Sequence, residues 1–364
     1  MTDTLGVTMI PRRTVPLSDQ DDRTRVPVVP LTRTFANGRE LELVDEVLRS
    51  GRLHDGPMLR RFEERIAHVT GSAHTVATSS PVTALQLVAA TSGWGIGDEV
   101  ATSPFGAIGP STIARVLGVT PAIVDIDPVT LGTDVNALAA AIGSRTRGVI
   151  AVDAFGWPTS PELLGTIARD HDVVLVQDVG GALGARSAAP ITLISLDARS
   201  QVGVGSGAVL CTDDAALAQA WRELAASASI DCRLGDVAAA IGLAQLERLP
   251  RTIAMYELVA DDYVRLLERV PGVEVPPVRS GDLARSWSRF WILLDDSEAR
   301  DRVARQLSSS GVETEMPDPV EHGGASIATA TGVAARALAL PCWPQLSPQQ
   351  QERIVATIHD AIEQ

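Results

Sequence analysis

Short runs rich in valine, isoleucine and alanine alternate with longer amphipathic stretches through the middle of this chain, and that alternation constrains the fold more than any other feature. HTVATSS precedes ALQLVAAT, DEVATSP precedes STIARVLG, TPAIVDID precedes DVNALAAAIG, RGVIAVDAFG precedes PELLGTIARDH, and DVVLVQDVG follows. Strands alternating with helices predict crossover units and a mostly parallel sheet covered on both faces, an α/β fold. Ligands of such sheets sit at the carboxyl ends of the strands, where Ser79, Ser80, Pro104, Asp153 and Asp178 fall. ITLISLD and SGAVLCTDD predict two further strands joined by the Gly-rich loop ARSQVGVG, with a helix from Ala215 to Ser227 after them.

Upstream, residues 36–66 carry apolar positions at helical spacing on either side of a Gly-rich turn from Gly51 to Pro57, which predicts two helices flanking a loop. Around Arg251 the pattern changes to a long helix, a Pro-rich extended segment, the strand WSRFWILL, the helix SEARDRVARQLSSS and a terminal helix. The expected organisation is an N-terminal extension over 1–33, a large domain over 34–250 and a small C-terminal α+β domain over 251–364. Trp287, Phe290 and Trp291 alternate with polar residues on the small-domain strand and read as core.

Composition narrows the function classes. A formal charge of −14 without any cluster of basic residues opposes nucleic-acid binding. No stretch has the roughly 20 uncharged apolar residues of a membrane span, and the N-terminus lacks the apolar centre of a signal peptide, so the expected location is cytoplasmic. Cys211, Cys232 and Cys342 are isolated, which suggests neither disulfides nor a thiolate metal site, and no His spacing supports a metal. All 31 residues counted as Lys plus Arg are arginine. No side-chain amine exists here to form a Schiff base with an aldehyde cofactor.

SGRLHDGPMLRRFEERIAHVTGSAHTVATSS, GDEVATSPFGAIGPSTIARVLGVTPAIVDIDPVTL, VLVQDVGGALGA and DCRLGDVAAAIGLAQLERL together resemble the DegT/DnrJ/EryC1/StrS family of fold-type I sugar aminotransferases, which depend on pyridoxal phosphate (PLP). The resemblance runs from about residue 34 to the end. It implies a homodimer with shared active sites, and its chemistry carries over position by position. At the family's Schiff-base lysine stands Ser200, counted from Ser195; a shift of one residue would bring Arg199, which stays protonated and fails equally. The phosphate-binding turn reads Ser79, Ser80, Pro81, Val82, Thr83, so proline removes an N–H and valine a hydroxyl. Ala107 replaces the aromatic that stacks on the cofactor, Gly181 a glutamine or histidine, and Asp231 an asparagine that reaches the neighbouring subunit's phosphate. Asp178, the partner of the pyridine nitrogen, and Ser195, a phosphate ligand, are retained.

A divergent member without the catalytic lysine and with a weakened phosphate cup is expected to use no cofactor. Ala107 and Gly181 are expected to enlarge the vacated cavity. On the family's geometry its catalytic groups are Asp178, His54, Asp231 from the second copy, and His322. Ser79, Ser80, Phe105, Asp153, Ser195, Asp197, Arg199 and Ser200 are its substrate-binding residues. So many buried carboxylates cannot all ionise, so at least one is expected to hold its proton near neutrality, with a histidine as base. That suits cyclisation, dehydration, epimerisation or condensation of a small polar molecule in specialised-metabolite biosynthesis. Two alternatives stand beside it: a noncatalytic partner of an active paralogue, and a dehydratase that holds the amine form of the cofactor (PMP) noncovalently.

Overall fold

A computed structural model describes residues 28–106, 108–183, 189–227, 231–275, 279–280, 283–284, 286–318, 320 and 327–364. In chain order, α1 (Arg39–Ser50), α2 (Pro57–Thr70), β1 (His74–Thr78), α3 (Pro81–Ser92), β2 (Glu99–Thr102), α4 (Pro110–Leu117), β3 (Thr120–Ile123), α5 (Val135–Ala141) and β4 (Thr146–Val152) open the fold. They are followed by α6 (Pro161–His171), β5 (Val174–Asp178), β6 (Ile191–Ser195), β7 (Ala208–Thr212), α7 (Ala215–Ala225), α8 (Asp236–Leu246) and α9 (Leu249–Leu267). Last come the short strands β8 (Val273–Glu274), β9 (Arg279–Ser280) and β10 (Leu283–Ala284), then β11 (Phe290–Leu294), α10 (Ser297–Ser309), α11 (Ala328–Arg336), β12 (Ala337–Leu340) and α12 (Pro348–Ile362).

The seven-stranded sheet has the order β1-β7-β6-β5-β4-β2-β3. Strands β3, β2, β4, β5 and β6 pair in parallel, whereas β7 runs antiparallel to both β6 and β1. Six strands therefore end at one edge, and β7 begins there. The period-2 pattern sorts side chains to the two faces. Val76, Ile150, Val176, Leu193 and Leu210 pack with α3, α4 and α7. Their neighbours Ala77, Ile194 and Val209 pack with α1, α2 and α8, and Val149, Ala151 and Leu175 with α5 and α6. Helices α1 to α4 each end at a glycine in the left-handed conformation, the stop signal that a residue without Cβ supplies at least cost.

A second sheet, β12-β11-β8, buries Phe290, Ile292, Leu294, Leu338 and Leu340 against α9, α10 and α12. Its opposite face, with Trp291, Leu293, Ala337 and Ala339, joins the core of the large sheet. The Asp125 carboxylate just past β3 accepts from the N–H groups of Thr329 and Ala330 at the start of α11. Residues 28–35 are strapped down, with Val29 pairing across to Gly311 and Glu313 and the Pro30 carbonyl accepting from Trp343 Nε1. Among the described residues no helix is long and apolar enough to cross a membrane.

Candidate active site

The carboxyl edge of the large sheet gathers nine of the residues singled out above: Ser79, Ser80, Phe105, Asp153, Asp178, Ser195, Asp197, Arg199 and Ser200. Asp153 follows the last residue of β4 and Asp178 ends β5, on neighbouring strands in register. Both are buried. Asp153 accepts from Thr159 N at 2.9 Å and from Gln177 Nε2 at 3.1 Å, and Asp178 accepts from Gly180 N at 2.8 Å. Burial pushes the Asp153 carboxyl up to about 7. The bonds from Thr159 and Gln177 oppose that rise, and the charge of Asp178 reinforces it. Asp153 can therefore carry a proton at neutral pH.

Beyond Ser195 the loop into β7 is tied down along its length. Asp197 accepts from Arg199 N at 2.8 Å and from the Arg199 guanidinium at 3.0 Å. Burial alone would raise the Asp197 carboxyl, but Arg199 outweighs it and holds Asp197 below the usual carboxylate range. Arg199 reaches Glu315 at 3.3 Å, and Glu315 also pairs with Arg289 at 2.6 Å. Gln245 exchanges two hydrogen bonds of 2.9 Å with the backbone of Gly203, and Gln201 accepts from Leu183 N. Gly181 corrects one expectation. A Cβ there would lie 2.5–2.6 Å from Ser200 Oγ, Cα and Cβ, so Gly181 enlarges no cavity, because Ser200 occupies the space beside it. Ala107 and His322 lie outside the described residues.

At the start of α3, Ser80 Oγ accepts from Thr83 N at 3.1 Å. Thr83 Oγ1 in turn accepts from Ser80 N at 3.1 Å and donates to the Ser80 carbonyl at 2.8 Å. This capping box consumes the groups that a phosphate would need, and Pro81 has no N–H to offer.

His54 and Asp231 meet in the same copy of the chain, on the α1–α2 loop and just before α8. His54 Nε2 lies 3.0 and 3.1 Å from the two Asp231 oxygens. Arg233 clasps the same carboxylate at 3.0 Å and reaches Asp55 at 2.7 Å. Hydrogen bonds from Arg233, then His54, hold Asp231 at about 2. If Nε2 carries the proton toward Asp231, Nδ1 is left as the base. The loop is anchored from below: the fully buried Asp236 carboxylate accepts from Gly56 N, Met58 N and Leu59 N at 2.7, 2.9 and 3.3 Å.

Several site residues escaped the sequence reading. Phe155, just past β4, has a left-handed backbone (φ 56°) and touches Phe105 and Trp291 edge-on, at 5.1 and 4.9 Å between centroids. Arg289 covers the other part of this aromatic row, 5.6 Å from the Trp291 ring. A non-glycine residue held at positive φ carries strain that the surrounding packing must hold in place, and no residue type announces it in advance.

Comparison with known proteins decides the lineage. The model of the DegT/DnrJ/EryC1/StrS aminotransferase family matches residues 36–359. This chain belongs to that family. Among relatives of this DegT/DnrJ/EryC1/StrS member, the UDP-2-acetamido-2-deoxy-3-oxo-D-glucuronate aminotransferase of Pseudomonas aeruginosa is 27% identical, over 86% of this chain and 94% of that protein. The spore coat polysaccharide biosynthesis protein SpsC of Bacillus subtilis is 26% identical, over 92% and 97%. Among solved structures, the aminotransferase TlmJ from Streptoalloteichus hindustanus superposes with a TM-score of 0.85 at 27% identity, over 92% of this chain and 99% of that one. The fold is that of these aminotransferases.

Proposed function

We propose that this family member does not transaminate, and that it performs cofactor-independent acid/base chemistry on a small polar molecule in the biosynthesis of a specialised metabolite. Cyclisation, dehydration, epimerisation and condensation all fit. The observation that carries the reading is Asp153, buried at the sheet edge beside the charge of Asp178, with its carboxyl pushed up to about 7. Asp178, which ends the neighbouring strand, is assigned as the acid at the sheet edge, and His54, oriented by Asp231, takes up a proton. A second copy of the chain supplies the His54–Asp231 pair, and His322 is assigned as a further base. Exposed apolar side chains around this loop support a homodimer with shared sites: Leu41 and Leu48 lie on one face of α1 and Leu53 precedes His54, and all three are more than half exposed (76%, 59% and 54%).

The family's cofactor fits these residues poorly. The chain has no lysine for an aldimine, the α3 cap satisfies its own hydrogen bonds, and Ser200 fills the space beside Gly181. Calorimetry with PLP and PMP is expected to give dissociation constants of about 1 mM or weaker. Tight binding of PMP would overturn the reading in favour of a noncovalent dehydratase. Asp178→Asn and His54→Ala are each expected to abolish turnover of pathway intermediates with the fold intact, and full activity in both would sink the assignment. The packing of Ser200 against Gly181 also favours a second reading, a noncatalytic partner for a lysine-bearing paralogue. Co-purification with such a homologue would establish that one, and a homodimer alone would remove it.

A further inference from the structure

The aromatic row at the sheet edge ends on a guanidinium that is only partly used. Phe105, Phe155 and Trp291 meet edge-on, and Arg289, just before β11, lies over the Trp291 ring at 5.6 Å. Arg289 donates from Nη1 alone, to Glu315 Oε1 at 2.6 Å. Its Nε and Nη2 meet no acceptor among the described residues, and neither nitrogen is sealed from solvent, so this edge of the guanidinium opens on free space. Arg199 is the contrast: its Nε and Nη2 are spent on Asp197 and its Nη1 on Glu315. The Arg289 side chain is only 22% exposed, held by the Trp291 ring on one side and Glu315 at one end. It stands close enough to the site for its charge to help hold Asp197 down. Burial lowers the Arg289 guanidinium from its ordinary range against the pull of Glu315, and the like charge of Arg199 adds to the fall. An anion on the open edge would offset both.

We propose that the Nε–Nη2 edge of Arg289 binds a carboxylate of the substrate, which makes the substrate class a small polar acid. A carboxylate matches that edge with two parallel hydrogen bonds. Charge selects it over a phosphate dianion. Asp197 and Glu315 already balance Arg199 and Arg289, and Asp318 adds a further negative charge near Arg199, so one incoming charge is opposed less than two. Trp291 and Glu315 fix the guanidinium beforehand, so little side-chain freedom is lost on binding. Arg289 thus acts as a specificity residue and moves no proton. The inference rests on the proposed function only for placing the site at this sheet edge.

Ligand-observed NMR titrations of the full chain at fixed ionic strength test it, with acetate and gluconate against their neutral counterparts acetamide and sorbitol. The two acids are expected to bind and the neutral compounds not. Arg289→Gln should weaken both acids about ten- to a hundredfold. Arg289→Lys keeps the charge beside Glu315 and loses the fork, so it should fall between; it also carries the test if Arg289→Gln lowers Tm. Binding of neither acid, equal binding of the neutral compounds, or undiminished binding of the acids by Arg289→Gln would overturn the proposal, as would a preference for inorganic phosphate that depends on Arg289. Binding is read here without turnover, so loss of the catalytic roles of Asp178 and His54 would leave this result standing, and the reverse holds as well.

Discussion

Helices α2 and α3 both place a proline in the first turn, where its missing N–H costs nothing, but they satisfy the N–H groups behind it in different ways. At α2 a buried carboxylate, Asp236 from the start of α8, accepts three backbone N–H groups, and Gly56 is required because a Cβ would lie 2.5 Å from Asp236 Oδ1. At α3 there is no acid. Ser80 and Thr83 close a neutral capping box beside the exposed Ser79. The helix dipole favours an anion at each of these two N-termini. In this chain the anion at α2 is part of the protein and stitches together the segments carrying His54 and Asp231, whereas α3 is capped by its own residues and is left as surface.

The largest effect is expected at the first of these ends. Asp236→Ala should destabilise the chain by about 3 kcal/mol in urea unfolding, since it strands buried N–H groups that held a charged acceptor. A loss as small as that of a surface cap would break the comparison. A pH series probes the other buried acid, Asp153. Its proton is held up to about 7 in the folded chain but only to about 4 in the unfolded chain. Between those values the folded state binds more protons, so stability falls as pH rises through about 4–7 and levels off above. Asp153→Asn should flatten that slope in part. Glu63, also raised to about 7 by burial, adds a term of the same sign, so the double variant with Glu63→Gln should flatten it further. At α3, Ser80→Ala should cost only about 1 kcal/mol and Ser80→Gly a few tenths, which sharpens the contrast with Asp236.

The fold was legible wherever one residue type forces one local conformation. The continuous apolar run in RGVIAVD marked a strand covered on both faces, and glycines after α1 to α4 set their ends. The acids at the strand ends could be placed for the same reason. What could not be read depends on contacts far apart in the chain. Asp236 looks like an acidic residue in the first turn of its own helix, but its partners lie at Gly56, Met58 and Leu59. Glu315, itself paired with Arg289, meets Arg199 only because the second sheet docks on the first. Ser200 packs against Gly181 through the path of the loop backbone, to which a small residue in the sequence gives no direction. The stretches ATATGVAAR and ALAL, which form α11 and β12, lack the strong periodicity that marked the other elements.

The one strand that runs against its neighbours has a consequence for how such a protein changes over time. Because β7 is antiparallel to β6, the segment between them returns to the edge it left and needs no crossing helix. The parallel links from β1 through β5 each carry a helix whose packing would suffer from an altered length. The β6–β7 segment does not, so it behaves as an exchangeable cassette. Residues can be exchanged there without shifting a crossing helix, provided the two hydrogen bonds between Gly203 and Gln245 of α8 are kept, which makes it the natural point at which to graft a different chemistry onto this scaffold.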